Sequence, residues 1–212
     1  MPGRRLIGSK ILHYDSVTST NDIARELISR QADEGTVVIA AEQTMGRGRR
    51  GRKWISPPGV NLLVSIILRP QVETIRLPEL AFVVAIAVAR YLIDELRLPA
   101  KVKWPNDVRV NGKKIAGVLI ETIPGVDKNA PWAIAGIGLN INWADLPSEI
   151  AGLATSVLLE TGRETDIESA LSGILDSFDA AYRDYCCKGL SEILEQCGFN
   201  IQRSNTTNDR HL

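Results

Sequence analysis

The alternation of apolar and polar positions divides the chain into several short extended runs and three helical ones. Ile11-Leu12-His13-Tyr14 suits a strand, and the ten residues ahead of it read as a short leader. Ser19-Thr20-Asn21-Asp22 then has the spacing of a helix start, with Ile23, Ala24, Leu27 and Ile28 following at helical intervals. Strands are predicted at Thr36–Ala41 and Asn61–Leu68. The longest apolar run, Leu80–Ala89, falls well short of the roughly 20 residues that a membrane span needs. It predicts a buried helix, opened by Pro78 in its first turn and carried to Leu96. Apolar nearly all round, such a helix should lie against a sheet.

Further strands are expected at Ala100–Lys103 and Val108–Val110, followed by the turn Asn111-Gly112. Asn-Gly between extended runs signals a hairpin, so Lys113–Glu121 should pair back on Val108–Val110. A second hairpin is predicted with Trp132–Asn142, across the polar loop Pro124–Pro131. A final helix, Asp166–Tyr185, carries Leu171, Ile174, Leu175, Phe178 and Tyr182 on one face. Residues 191–212 read as a polar stub, and Asn200–Leu212 lacks any periodicity and is expected to be disordered. No period repeats and no segment is of low complexity. Hairpins with helices inserted singly imply an α+β fold, a mixed, mainly antiparallel sheet with helices packed on one face.

Composition narrows the classes. At 212 residues, 44% hydrophobic and 24% charged, the chain is globular material with room for one or two domains. Cys186, Cys187 and Cys197 have no metal spacing and make a poor disulfide framework, which points to a reducing, cytoplasmic setting. His13 and His211 leave little for a histidine-based zinc site or a serine–histidine–aspartate triad. Arg4 and Arg5 are followed by no apolar core of a signal peptide, and no membrane association is expected.

Against a net charge of zero, Gly46-Arg47-Gly48-Arg49-Arg50-Gly51-Arg52-Lys53-Trp54 packs five cations and three glycines into nine residues. That much charge belongs on a loop that meets an anion, and the glycines let backbone N–H groups approach it. The glycines have the spacing of a dinucleotide fingerprint, but Pro57, Pro58 and Gly59 follow where the pyrophosphate helix should begin. A nucleic-acid patch would call for overall basicity and interleaved aromatics. A merely solvated loop leaves the alternation of glycine with arginine unexplained. A small phosphorylated or phosphorylatable ligand fits better.

Three more islands stand out. Ser19-Thr20-Asn21 offers small hydrogen-bonding side chains at a helix entrance, where plain capping is the bland alternative. Lys103-Trp104-Pro105-Asn106-Asp107, followed by Lys113-Lys114-Ile115-Ala116-Gly117, is either site chemistry or hairpin chemistry with solvated lysines. Gly136-Ile137-Gly138-Leu139-Asn140-Ile141-Asn142 sets glycines inside a strong strand, which marks a bulge or a ligand pressed on the backbone.

Taken in order, and together with Gln43, these islands resemble the catalytic domain of the biotin protein ligases. The resemblance runs from Ser16 to Ser156 and implies the biotin/lipoate ligase catalytic fold over residues 1–190. It implies activation of biotin by ATP, with Mg²⁺, to biotinyl-5′-AMP, and transfer to one lysine of a biotin carboxyl carrier protein. On the family pattern Lys114, Arg47 and Arg49 are the catalytic cations, with Lys114 between carboxylate and phosphate. Ser19, Thr20, Asn21 and Gln43 would meet the ureido ring of biotin. The Gly46–Gly51 backbone, Gly48 included, would fold over the acyl chain, and Gly117, Gly136 and Gly138 would floor the slot. Trp54, Asn106, Asp107 and Asn140 would lie toward the nucleotide, with Asp107 as the candidate Mg²⁺ ligand. Neither the N-terminal winged helix-turn-helix of some members nor the C-terminal SH3-like barrel of most is legible, so no DNA partner is expected. Pairing of two copies stays open. The rival from another class is a binding module that holds biotin or its adenylate without completing transfer.

Overall fold

A computed structural model of the chain describes residues 5–123 and 131–197. Seven strands form one sheet: β1 Lys10–Val17, β2 Thr36–Gln43, β3 Leu62–Leu68, β4 Ala100–Lys103, β5 Asp107–Val110, β6 Lys113–Ile123 and β7 Trp132–Leu139. Their order across it is β1-β2-β3-β7-β6-β5-β4. Only β1 and β2 run parallel; every other neighbouring pair is antiparallel. The sheet is mixed and mainly antiparallel, as expected. The parallel pair is joined by α1, Thr20–Ser29, since parallel neighbours need a crossover. Both Asn-Gly turn residues take positive φ, 50° at Asn111 and 83° at Gly112, which turns β5 tightly into β6.

The core lies on one face. Val37, Ile39, Leu62, Val64, Ile66 and Leu68 point into it from β2 and β3, and Ala133, Ala135, Ile137 and Leu139 from β7. Helix α2, Leu80–Asp94, covers this side, and α5, Ile167–Lys188, packs on α2. A Cβ on Gly173 of α5 would fall 2.7 Å from the Tyr91 ring of α2, so the two helices meet at a bare backbone. Pro78 lies in a 3₁₀ turn, Thr74–Glu79, that leads into α2 rather than in the helix proper.

One part of the expected layout needs amending. Helix α1 sits on the opposite face, where Ala24 packs with Val38, Ile67 and Ile134 in a second, smaller cluster. The period-2 alternation of β2, β3 and β7 gives this face apolar positions too, and α1 covers them.

Within the stretch read as a short leader, Leu6 and Ile7 are fixed to α5. Asp179 of α5 accepts the backbone N–H groups of Leu6 and Ile7, both at 2.9 Å, and Ile7 is fully buried. Short helices α3, Ser148–Ala151, and α4, Val157–Thr161, precede α5; α6, Leu190–Cys197, follows it and takes up part of what reads as a polar stub. The rest of that stub, and residues 124–130 of the expected polar loop, lie outside the described residues.

Candidate active site

The residues named from the sequence gather around a cleft on the α1 face of the sheet. Its floor is backbone. Gly117 of β6 and Gly138 of β7 are register partners, and Gly136 pairs with Ser65 of β3. A Cβ on Gly138 would come within 2.3 Å of the Trp54 indole, and one on Gly136 within 2.5 Å of Asn21 Oδ1. These glycines are therefore required by close approach: flat side chains press on strands stripped of their own.

The back wall is polar and buried. Gln43, at the end of β2, accepts on Oε1 from Thr20 N at 2.8 Å and Thr20 Oγ1 at 3.0 Å. Ser19 is the N-cap of α1 by position, yet its hydroxyl makes no capping bond; it donates to Gln43 Oε1 at 3.3 Å. Plain capping thus fails as its role. Ser65 donates to Asn21 Oδ1 at 2.5 Å and contacts Thr20 Oγ1 at 2.7 Å. Two donors stay unpaired in this wall and floor: Asn21 Nδ2 and Trp54 Nε1 are buried with no partner. A buried orphan of that kind costs roughly 1–3 kcal/mol, a penalty that a ligand carrying acceptors would relieve.

Lys114 reaches the cleft because of a bulge. Register jumps between Val108 and Arg109, so Ile115 and Ala116, adjacent in sequence, both lie in the core. Without that extra residue Lys114 and Gly117 would face opposite sides of the sheet. Its ammonium lies 2.7 Å from Asp107 Oδ1 and 5.5 Å from the centre of the Trp54 ring.

The arginine–glycine loop forms a roof. It folds as a small hairpin, closed by Trp54 N to Gly46 O at 3.0 Å and Gly48 N to Arg52 O at 2.7 Å. A Cβ on Gly46 would strike Trp54 O at 2.5 Å, so this glycine serves the hairpin itself. The tip turns through Arg50 and Gly51, at φ 58° and 73°. Arg47 is held on one side by both oxygens of Asp22, at 2.9 and 2.7 Å, and by Glu121 at 3.4 Å. Its hydrogen bond pulls the Asp22 carboxyl below its ordinary value, and Asp22 in turn raises Arg47. Arg49 reaches the other side, donating to Asn106 Oδ1 at 2.8 Å. Asn106 is itself fixed by its amide, which donates to Val118 O at 2.9 Å.

Asn140 stands apart. It is buried at the end of β7, donates to Thr155 O at 3.0 Å, and does not line the cleft. Ser65, Asp22 and Glu121 were missed from the sequence. A lone hydroxyl in the apolar run Leu62-Leu63-Val64-Ser65-Ile66 was the one signal available for the first. Among the described residues no cluster of three or more His, Cys, Asp or Glu could hold a metal, and no helix is long and apolar enough to cross a membrane.

The chain is 36% identical over 190 residues to the bifunctional ligase/repressor BirA of Bacillus subtilis, covering 89% of this chain and 58% of that protein. It is 41% identical over 153 residues to the biotin–[acetyl-CoA-carboxylase] ligase of Paracoccus denitrificans, covering 66% and 60%. It therefore spans about three fifths of the length of these relatives. A biotin protein ligase from Aquifex aeolicus, solved with biotin and ATP, superposes with a TM-score of 0.76 at 32% identity, over 89% of this chain and 77% of that one. The model of the biotin/lipoate A/B protein ligase family matches residues 14–140, a span that holds the floor, back wall, roof and Lys114, and the chain belongs to that family.

Proposed function

We propose that the chain activates biotin with ATP to biotinyl-5′-AMP and transfers it to one lysine of a biotin carboxyl carrier protein. The observation that carries this reading is the pair of orphaned donors, Asn21 Nδ2 and Trp54 Nε1, over a glycine floor. A neutral ring bearing a carbonyl acceptor suits that slot. Ser19, Thr20 and Gln43 supply the remaining polar contacts from the back wall.

In the first step a biotin carboxylate oxygen attacks the α-phosphorus, the new P–O bond forms, and diphosphate leaves. Two anions must meet, and a preorganised cation in a dry site is worth roughly 3–4 kcal/mol to such a step. Lys114 is the group for that task, exchanging its Asp107 contact for the carboxylate and phosphate. Arg49 adds charge from the roof, and Trp54 offers an indole face to the nucleotide. In the second step the neutral carrier amine attacks the acyl carbon, the C–N bond forms as the acyl C–O bond breaks, AMP departs, and the amine's surplus proton passes to solvent. No nucleophile from this chain is needed. Asp107 is of the type that would share Mg²⁺ with ATP, where the ion would offset phosphate charge.

The catalytic unit is residues 1–190, working in the cytoplasm, and every group named comes from one copy. DNA is left out, since a net-neutral chain with one basic hairpin neutralises few phosphates. The test is incubation with biotin, ATP and a carrier domain, read by intact mass. A biotin-sized gain on the carrier is expected. Thermal stabilisation by biotin without that gain would leave a binding module in its place.

A further inference from the structure

The geometry points to Asp22 as a positioning residue that latches the roof through Arg47 without touching ligand itself. Asp22 stands in the first turn of α1, directly after Thr20 and Asn21 of the back wall. Its carboxylate takes both terminal nitrogens of Arg47, at 2.9 and 2.7 Å, and a third donor, Thr18 Oγ1, at 3.1 Å. A bidentate fork of this kind fixes direction as well as distance. Glu121 on β6 touches the same guanidinium at 3.4 Å, and Arg25 holds the other oxygen of Glu121 at 2.6 Å. Charges therefore alternate Asp22, Arg47, Glu121, Arg25, with both ends of the chain of contacts on α1.

Two consequences follow for the cleft. Arg47 is already matched by two carboxylates, so its work is closure, and Lys114 and Arg49 are left to meet an incoming anion. The hairpin's other ties are Thr44 N to Val17 O and Met45 N to Thr18 O at the base of its entering limb, both at 2.9 Å, Arg49 to Asn106 on the opposite wall, and Trp54 of the returning limb resting on Gly138. Releasing Asp22 frees one side of the roof and loosens the indole with it. What the roof retains, biotinyl-AMP, rests on the ligase reading; that it is latched does not.

The experiment compares the wild-type chain with Asp22→Asn and Asp22→Glu. Ligand-free protein is treated with trypsin, and Asp22→Asn should be cut after Arg49 or Arg50 about fivefold faster, the scale of one good partly exposed ion pair. Release of preformed biotinyl-AMP should accelerate by a similar factor, more than adenylation slows, and Asp22→Glu should restore most of both. Cleavage and release at wild-type rates would overturn the latch, as would slower adenylation with release unchanged. Glu121→Gln is the second variant, with the same expected direction, should Asp22→Asn fold poorly. A wild-type chain that makes no adenylate would overturn the ligase reading alone, and the cleavage ratio would still decide the latch.

Discussion

Lys114 owes its place to one extra residue in a strand, and that is the part of the site a sequence hides best. Lys113 and Lys114 look alike on paper, yet only Lys114 lines the cleft. Lys114→Ala should lower adenylate formation at least tenfold, and by two orders of magnitude if one preorganised charge is lost, while far-ultraviolet circular dichroism stays unchanged. A variant that keeps more than about a tenth of the wild-type rate, a barrier change of only about 1.4 kcal/mol, sinks the role. Gly138→Ala tests the floor instead. Its methyl would sit 2.3 Å from the Trp54 ring, so the indole must shift. We expect biotin binding, followed by calorimetry, to weaken at least tenfold, because the displaced indole carries Trp54 Nε1 out of the slot. The glycines were legible in the sequence because glycine inside a strong strand demands a reason. Asn140, expected toward the nucleotide, donates to Thr155 O and does not line the cleft; in sequence, an asparagine closing a strand looks the same whether it faces a ligand or holds a neighbouring backbone.

Among the elements, the roof hairpin and α5 carry charges whose state follows pH. Asp22 is the titrating group of the roof, faced by Arg47 from the hairpin, Thr18 ahead of α1, and Arg25 along its own helix, with Glu121 across Arg47 on β6. Its carboxyl is depressed in the folded chain, so the contribution is present above the unfolded value, about 3.9, and is lost as pH falls through the lower folded one. Hydrogen exchange of the hairpin amides should therefore show protection that holds from neutrality to about pH 4 and fades below it. Protection already falling at pH 6 would exclude the pair. On α5, burial pushes the Cys186 thiol up to about 11 while Cys187 next to it is exposed. Alkylation near pH 8, mapped by peptide mass, should modify Cys187 well before Cys186. Long periodic elements such as α5 and the β5–β6 hairpin were legible because one face or one turn encodes them. The parallel pairing of β1 with β2 was not, since a strand's partner and direction depend on where the crossover helix lands. Nor were α3 and α4, too short to show a period.

For the molecule as a whole, the sheet separates what folds from what binds. Sequence patterning located the strands and the buried helix; it could not say that α1 would cross to the second face and bring Thr20 and Asn21 over the glycines, because both faces of β2, β3 and β7 offer apolar positions. On β3, Leu62, Val64, Ile66 and Leu68 belong to the main core; Ser65 and Ile67 look the other way, to the cleft and to α1. β7 repeats this with Ala133, Ala135, Ile137 and Leu139 against Gly136 and Gly138. Truncating a buried Leu or Ile costs about 2–5 kcal/mol, a large share of the roughly 5–15 kcal/mol that keeps a domain folded. A saturation library across these two strands, screened for soluble expression, should consequently lose the main-core positions together with Leu63, Ile67 and Ile134, which are buried on the other face. Ser65→Ala, Gly136→Ala and Gly138→Ala, the smallest changes on the cleft side, should lose biotin capture more than soluble expression. Equal losses in both screens at residues 65, 136 and 138 would mean that cleft and core are coupled. Where the second face meets the cleft, at residues 65, 136 and 138, the two strands have a reading frame of two, in which each residue answers to the opposite demand from its neighbours.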